Sequence, residues 1–360
     1  MRKLLILSIL ILPLLSGYSQ SIISGRVYDL ENKKPIEFAS VYISNSTKAT
    51  ITDKNGQFKI SNSLPGRSEL VISCVGYETY VQELFNKTYE LEVFLKPKIT
   101  ELQEVILESS NKNGWKKWGR FFLEQFIGTT EFSTSCKITN TDALQFSFNK
   151  KSNTLKVTSK ESLLIRNNSF GYSIKYDLSR FAYDFNTRSL TIEGHPLFEE
   201  MTSNKKRQEI KWRKNREEAY YGSMMHFMRS LYNNELEKDH FEIRRIVKLS
   251  NQMNGLVNKI IPRDSIVFKS DSSYSILNFK DKMQVIYTLK EPSAFYNKGS
   301  INIGFMRTPQ TSQLSLIESA IKIFENGSYF DGTNLIVTGY WAWSEKVSNL
   351  LPLDYFPDTK

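Results

Sequence analysis

The sequence predicts a mainly β protein with a helical insertion: an N-terminal seven-stranded Greek-key β-sandwich followed by an antiparallel β-rich α+β domain. Three observations carry this. Between Ile23 and Leu95, apolar and polar residues alternate in short bursts separated by turn residues, with no helical period. From Leu144 to Ile192 the same period-two pattern recurs in hairpin-sized units. From Asn204 to about Glu237 the period becomes helical, after which strand patterns return.

Taken in order, Arg2-Lys3 precede an apolar run from Leu4 to Leu15, and Ser16-Gly17-Tyr18-Ser19 follows. Residues 1–19 therefore read as a secretory signal with cleavage after Ser19. The run is shorter than the roughly 20 apolar residues of a membrane helix, so export is expected. Residues 20–97 form the sandwich. Ile23–Tyr28 is its first strand, and Phe38, Val41 and Ile43 mark the second. Asp53-Lys54-Asn55-Gly56 is a tight turn whose Asn-Gly supplies positive-φ positions, with Phe58 and Ile60 after it at period two. Leu70–Val75 is nearly all apolar, as a central strand buried on both faces would be, and Glu90–Leu95 closes the unit. The span is expected to fold on its own.

Four segments of that sandwich carry a resemblance: Gly25-Arg26-Val27-Tyr28-Asp29, Pro35–Ile43, Thr52–Phe58 and Ser73-Cys74-Val75-Gly76-Tyr77-Glu78. In order and spacing they resemble the carboxypeptidase-regulatory-like domain, which has a transthyretin-like fold. That module occurs at the N-terminus of TonB-dependent receptors and in other Gram-negative envelope proteins. The resemblance implies an address in the periplasm or at the outer membrane, and it implies no peptidase activity.

Thr100–Leu107 is similar to the segment that leads into the receptor plug, but here it runs into the polar stretch Ser109–Gly114. Residues 98–114 thus read as a linker, and residues 115–360 as a β-rich domain rather than plug and barrel. Trp115, Trp118 and Phe122, at i, i+3 and i+7, predict a short amphipathic helix. A meander follows, with turns at Asn149–Asn153, Asn167-Asn168 and Asn186–Ser189. The helical segment, about 204–237, has a basic first part and an amphipathic second part from Ala219 to Tyr232. Ala219–Leu231, Gly339–Trp343 and Leu351–Tyr355 resemble segments of envelope proteins that pair this module with an uncharacterised β-rich region.

Charge is uneven. Residues 21–110 hold 10 Lys+Arg against 12 Asp+Glu, whereas residues 111–360 hold 36 against 26. An exported basic body is not expected to meet nucleic acid. An envelope protein, an anionic envelope polymer or peripheral contact with a membrane are its expected partners, with oligomeric state left open. Lys205, Lys206, Arg207, Lys211, Arg213 and Lys214 are the candidate ligand-binding cations.

Ser223 and His226 lie about 60° apart on a helical wheel, with Arg229 at the margin, the only candidates for hydrolytic chemistry. A packed polar helix face is the simpler expectation, since no G-x-S-x-G elbow is present. Trp341 and Trp343 would share a strand face with Leu335, Val337 and Gly339, which favours a core over a sugar-stacking platform. Cys74 and Cys136 are expected as buried free thiols. His195 reads as a loop residue, and His240 beside Asp239 and Glu242 as a solvated turn. Asp53-x-Asn55-Gly56 lacks the acid that closes a calcium loop. No metal or other cofactor is expected. The function expected is that of a non-catalytic exported envelope protein with a binding or scaffold role. The alternatives are a hydrolase using Ser223, His226 and Arg229, or a soluble accessory subunit of an outer-membrane transporter.

Overall fold

A computed structural model describes residues 21–85, 87–98, 111–248, 254–269, 273–296 and 308–358. The expected signal segment and most of the expected linker lie outside the described residues. Seven strands build the N-terminal sandwich: β1 (Ser21–Asp29), β2 (Ser40–Ile43), β3 (Ala49–Ile51), β4 (Gln57–Asn62), β5 (Ser68–Ser73), β6 (Tyr80–Leu84) and β7 (Tyr89–Leu95). They form two sheets, ordered β4-β1-β7 and β3-β2-β5-β6. The chain crosses between sheets after β1, β3, β4 and β6, so the two sheets are interleaved along the sequence. β1 runs parallel to β7 and antiparallel to β4. Ile23, Val27, Val41, Ile43, Leu70 and Ile72 are buried between the sheets.

Local chemistry explains the turns. Asp53 Oδ1 accepts hydrogen bonds from the Asn55 and Gln57 amides, both at 2.8 Å, and Gly56 has a φ of 71°. A Cβ on Gly56 would lie 2.4 Å from the Val27 carbonyl oxygen, so this glycine is sterically required. Two expectations need correction. Phe38 stands outside any strand, 69% exposed with a φ of 59°. β5 ends at Ser73, and the turn through Gly76 leaves Val75 91% exposed and Cys74 half-buried. Cys136 is buried, and both thiols are free.

The body has two cores. The first joins α1 (Asn111–Phe126) to β8 (Cys136–Ile138), β9 (Leu144–Asn149), β10 (Thr154–Ser159), β11 (Leu163–Asn167), β12 (Tyr172–Asp184) and β13 (Ser189–Glu200). α1 begins inside the stretch expected as linker. Tyr172–Leu178 and Phe181–Tyr183, which look like separate strands, are one strand with a bulge. The first half of β12 pairs with β11, its second half with β10, and both with β13. Phe122 and Phe126 of α1 pack on Phe146, Phe181 and Tyr176, with ring centroids 4.9–5.9 Å apart.

The expected helical segment is two helices, α2 (Lys206–Tyr220) and α3 (Met224–Asn233), broken where Gly222 takes a φ of 88°. The second core then gathers β14 (Phe241–Lys248), β15 (Asn254–Ile260), β16 (Val267–Lys269), β17 (Ser275–Leu277), β18 (Lys282–Tyr287), β19 (Gln310–Leu316), β20 (Ile321–Ile323), β21 (Tyr329–Phe330), β22 (Leu335–Gly339) and α4 (Tyr340–Ser344). Its sheets are ordered β15-β14-β18-β19-β22 and β16-β17-β20-β21, and Phe227, Met228 and Leu231 of α3 fill the space they enclose. Val347 and Leu351 return the chain to the first core.

The sandwich is fixed to this body. Val71 of β5 and Tyr42 of β2 point away from the sandwich core and are fully buried against Leu197 of β13. β5 is therefore covered on both faces, as its composition predicts. The turn after β2 adds itself to the free edge of β13: Asn45 N donates to Pro196 O at 2.7 Å and Phe198 N to Ser46 O at 2.9 Å. Leu353 N in turn donates to Asn45 O at 2.6 Å. A segment of the sandwich is thus held between β13 and the C-terminal tail.

One tryptophan expectation is also corrected. β22 stops at Gly339, where φ is 78° and a Cβ would lie 2.8 Å from the Thr311 carbonyl oxygen. Trp341 and Trp343 therefore sit on α4 rather than on a strand face. Trp341 is 3% exposed, packs on Phe227 and donates Nε1–H to Gly222 O at 2.8 Å. Trp343 is half-buried against Tyr296 and Tyr340. Trp341→Ala is expected to lower unfolding free energy by about 3–5 kcal/mol in urea titration, and Trp343→Ala by much less. Equal losses would contradict this packing.

Candidate functional site

The polar face of α3 is closed. Ser223 is its N-cap, accepting from the His226 amide at 3.1 Å. The His226 ring is buried, and its Nδ1 accepts from Gly222 N–H at 3.2 Å. That bond places the proton on Nε2, which faces Asp239 Oδ2 at 3.5 Å. Ser230 donates to the same carboxylate oxygen. Burial lowers the His226 pKa to about 4; the Asp239 charge opposes this, while Arg229 and Lys290 reinforce it. A neutral imidazole whose lone-pair nitrogen is already bonded cannot take a proton from Ser223. Ser223 borders a recess of about 30 Å³, and His226 and Arg229 do not line it.

Arg229 is 5% exposed and spends its guanidinium on backbone. Nε donates to Asn326 O at 3.1 Å, Nη1 to Tyr355 O at 3.0 Å and Nη2 to Leu353 O at 2.9 Å. The plane also lies over Phe356, 4.3 Å from the ring centroid. The three residues read as a potential hydrolytic set are therefore a helix cap, a buried neutral ring and a tail clasp. His195 is likewise a contact residue. It belongs to β13, not a loop, and its Nδ1 approaches Glu69 of the sandwich at 3.3 Å. The hydrogen bond from His195, and then Arg67, hold the Glu69 carboxyl down to about 2 against its partial burial.

Open space lies elsewhere, where sandwich, α2 and tail meet. A cleft of about 590 Å³ runs between the Thr47-Lys48 and Ser63–Pro65 turns, Tyr172 and Glu200 of the first sheet, one side of α2, and the tail from Pro352 to Asp358. Trp212 anchors α2 on this wall, its Nε1–H donating to Asn168 O at 2.9 Å and its ring against Gly171, where any Cβ would clash at 2.3 Å. Arg216 lies over the Tyr172 ring at 3.9 Å and donates Nε–H to Phe170 O at 2.7 Å and Nη1–H to Glu200 at 3.3 Å. Arg213 meets Asp358 at 3.3 Å. Thr47 donates from its amide and its hydroxyl to Asp354, closing the far end. The cleft's lining is aromatic and of both charges.

Of the predicted cations, Arg213 lines the cleft, while Lys205, Lys206, Arg207, Lys211 and Lys214 are exposed on or just before α2. Those five make no side-chain ion pair among the described residues. Trp341 and Trp343 are not brought to this place. Sequence reasoning missed Arg216, Glu200 and Asp354 as site residues. The signal for Arg216 and Trp212 was their place in the basic run; for the other two, packing between distant segments decides. Among the described residues no group of three or more His, Cys, Asp or Glu side chains is placed to hold a metal ion, and no helix is long and apolar enough to cross a membrane. His240 is exposed, Glu242 is paired to Arg244 and Asp239 belongs to the α3 network.

Comparison with known proteins agrees with the N-terminal assignment. Residues 23–107 match the CarboxypepD_reg-like domain family. The sandwich is such a domain, and the match stops before the body. No curated protein matches the chain. Among solved structures, a chain of a type II cohesin–X-dockerin complex from Acetivibrio cellulolyticus is 23% identical, over 21% of this chain and 56% of its own, with a TM-score of 0.17. The C-terminal domain of the shaft pilin SpaA from Lactobacillus rhamnosus GG is 17% identical over 22% of this chain and 99% of its own (TM-score 0.18). A DUF3823 family protein from Bacteroides ovatus is 10% identical over 51% and 82% (TM-score 0.18). The chain spans little more than half the length of the first of these.

The His226 geometry fixes a pH dependence. Above pH 6.5 the ring is neutral folded and unfolded, and its contribution is complete. As pH falls from 6.5 toward about 4 the unfolded chain takes up a proton that the folded chain refuses, so stability is lost. The loss should be on the order of a few kcal/mol at the acid end. His226→Gln should flatten this part of a melting-temperature profile, whereas an unchanged slope would mean the ring ionises freely in place.

Proposed function

We propose that this is a non-catalytic binding protein of the Gram-negative cell envelope, exported to the periplasm or the outer-membrane surface. In this reading the regulatory-like sandwich serves as a fixed wall of the binding site. The ligand is an anionic envelope polymer, held along α2 and into the adjoining cleft. One observation carries the proposal: five exposed cations on or beside α2, without side-chain ion pairs among the described residues, lie on the helix whose Trp212, Arg213 and Arg216 line a cleft that sandwich, body and tail build together. Unpaired cations on a rigid helix favour polyanions at little desolvation cost, and the effect is screened by salt. Of the aromatic rings at the cleft, exposed Phe356 and half-buried Tyr355 suit the faces of sugar units, while Arg216 covers Tyr172 and Gly171 backs Trp212.

A second reading, an accessory subunit docked on an outer-membrane transporter, is favoured by a different feature. Trp118, Phe121, Phe148 and Phe185 form a half-buried aromatic cluster with Lys117 over two of its rings. Contact through that cluster would be insensitive to α2. Replacing Lys205, Lys206 and Lys214 by Glu should abolish salt-sensitive retention of the protein on native anionic envelope polysaccharide while leaving the melting temperature unchanged. Retention that survives the triple reversal, or that does not weaken between 50 and 500 mM salt (roughly, a span that shortens the Debye length several-fold), would refute the α2 site.

A further inference from the structure

A second opening lies in the other core, far in sequence from α2. β15 is the edge of the five-stranded sheet and β16 the edge of the four-stranded one. Between them the sheets part, leaving a groove of about 480 Å³ that runs down to the core. Its walls are tied in place by Ile261 N–H to Ile243 O and Asn278 N–H to Ile266 O, each 2.8 Å. Buried Ile266 and Met283 form its floor, and Ile261 and Phe279 are partly buried beside them. At the mouth Ile260 and Phe268 remain 53% and 49% exposed. An apolar surface continuous with the core and open to water fits hydrocarbon.

The rim selects what that hydrocarbon carries. Lys259, Lys280 and Lys282 line the groove, are exposed, and make no side-chain ion pair among the described residues. Asp281, between two of them, is held by the Arg245 guanidinium through both Nε and Nη2. The local acid is thus occupied while three ammonium groups are not. Lysine stems are long enough to stay along the apolar wall while the charges meet a headgroup at the water boundary. A sugar polymer would leave the floor uncovered, and a neutral hydrocarbon would leave the lysines unused.

We propose that this groove binds an aliphatic anion: one hydrocarbon chain seated between the sheets, with its terminal carboxylate or phosphate at Lys259, Lys280 and Lys282. The site is separate from the α2 cleft and takes its ligand end-on. The ligand is a free amphiphile, since a chain seated between the sheets with its headgroup at the water boundary has left any bilayer; the chain of an anionic lipid within a bilayer is the alternative that the test separates.

The test is titration of the full chain with sodium decanoate, sodium laurate and dodecanol below their aggregation limits, by calorimetry. Saturable one-to-one binding is expected, tightening by up to about four-fold per added methylene. Laurate should bind roughly ten-fold more tightly than dodecanol, as three exposed charge contacts allow. Lys259, Lys280 and Lys282 changed together to Gln should remove that preference and leave dodecanol binding intact. Phe268→Asp should remove both, and Ile260→Asp serves if that variant melts early. Sedimentation with phosphatidylglycerol vesicles, but not phosphatidylcholine, that is lost in Phe268→Asp assigns the source to a bilayer. Laurate binding without vesicle sedimentation assigns it to a free molecule. The proposal is overturned if laurate does not bind, or if its affinity in the lysine variant or in the Phe268 variant is unchanged from that of the native chain.

Discussion

One buried guanidinium ties the second core to the C-terminal tail and, through Asn326, to the N-terminal sandwich. Arg229 lies inside the molecule, and its partners are carbonyl oxygens of Asn326, Leu353 and Tyr355, with the Tyr220 hydroxyl at 3.4 Å. A planar cation with five donors is the side chain suited to gathering several backbone acceptors from different directions. Without it the Asn326 carbonyl would be left buried and unmatched, at roughly 1–3 kcal/mol, and the part-buried Leu353 and Tyr355 carbonyls would lose their donor. Asn326 passes the connection on, since its Nδ2 donates to Arg67 O of the sandwich at 3.0 Å. The second core, the tail and the N-terminal domain are therefore linked through one residue of α3.

That linkage decides what the sandwich can do. A module tethered by a loose linker would present its surface independently, and relative motion would be its default. Here Tyr42 and Val71 are buried against Leu197, and burying residues of that size contributes roughly 1.5–3 kcal/mol each. The Ser44–Thr47 turn is stitched to β13 on one side and to Leu353 and Asp354 on the other. Glu69 and His195 add a polar contact across the same seam. The cleft beside α2 has a wall from each partner, so its shape depends on the domains staying together.

How far this was legible in the sequence follows from which forces are local. Strands β1, β2, β4, β5 and β7 of the sandwich, the Asp53–Gly56 turn and the two-sided burial of β5 were readable, because period and turn chemistry act over a few residues, whereas β6 went unplaced. The exposed basic helix was readable for the same reason. The end of β22 was not: Leu335–Trp343 alternates through Gly339, and only the approach of Thr311 shows why the strand must stop there. Nor was the closure of the α3 polar face. Ser223, His226 and Arg229 have the composition of a reactive set, and it is the neighbouring Gly222 amide and three distant carbonyls that commit them to structure. The cleft was invisible for a related cause, its walls being brought together from turns, a helix and a tail that are remote in sequence.

The central claim is that sandwich and body form one cooperative unit fastened at the Ser44–Thr47 seam and the Arg229 clasp. Amide hydrogen exchange of Asn45, Phe198 and Leu353 tests it most directly, since each donates a bond that exists only while the parts are joined. These amides are predicted to exchange with the opening free energy of the core amides of β1 and β12, and to lose that protection together in Arg229→Met. Fast exchange at all three while the amides of β1 and β12 stay protected would show that the sandwich separates from the body, and would contradict the account.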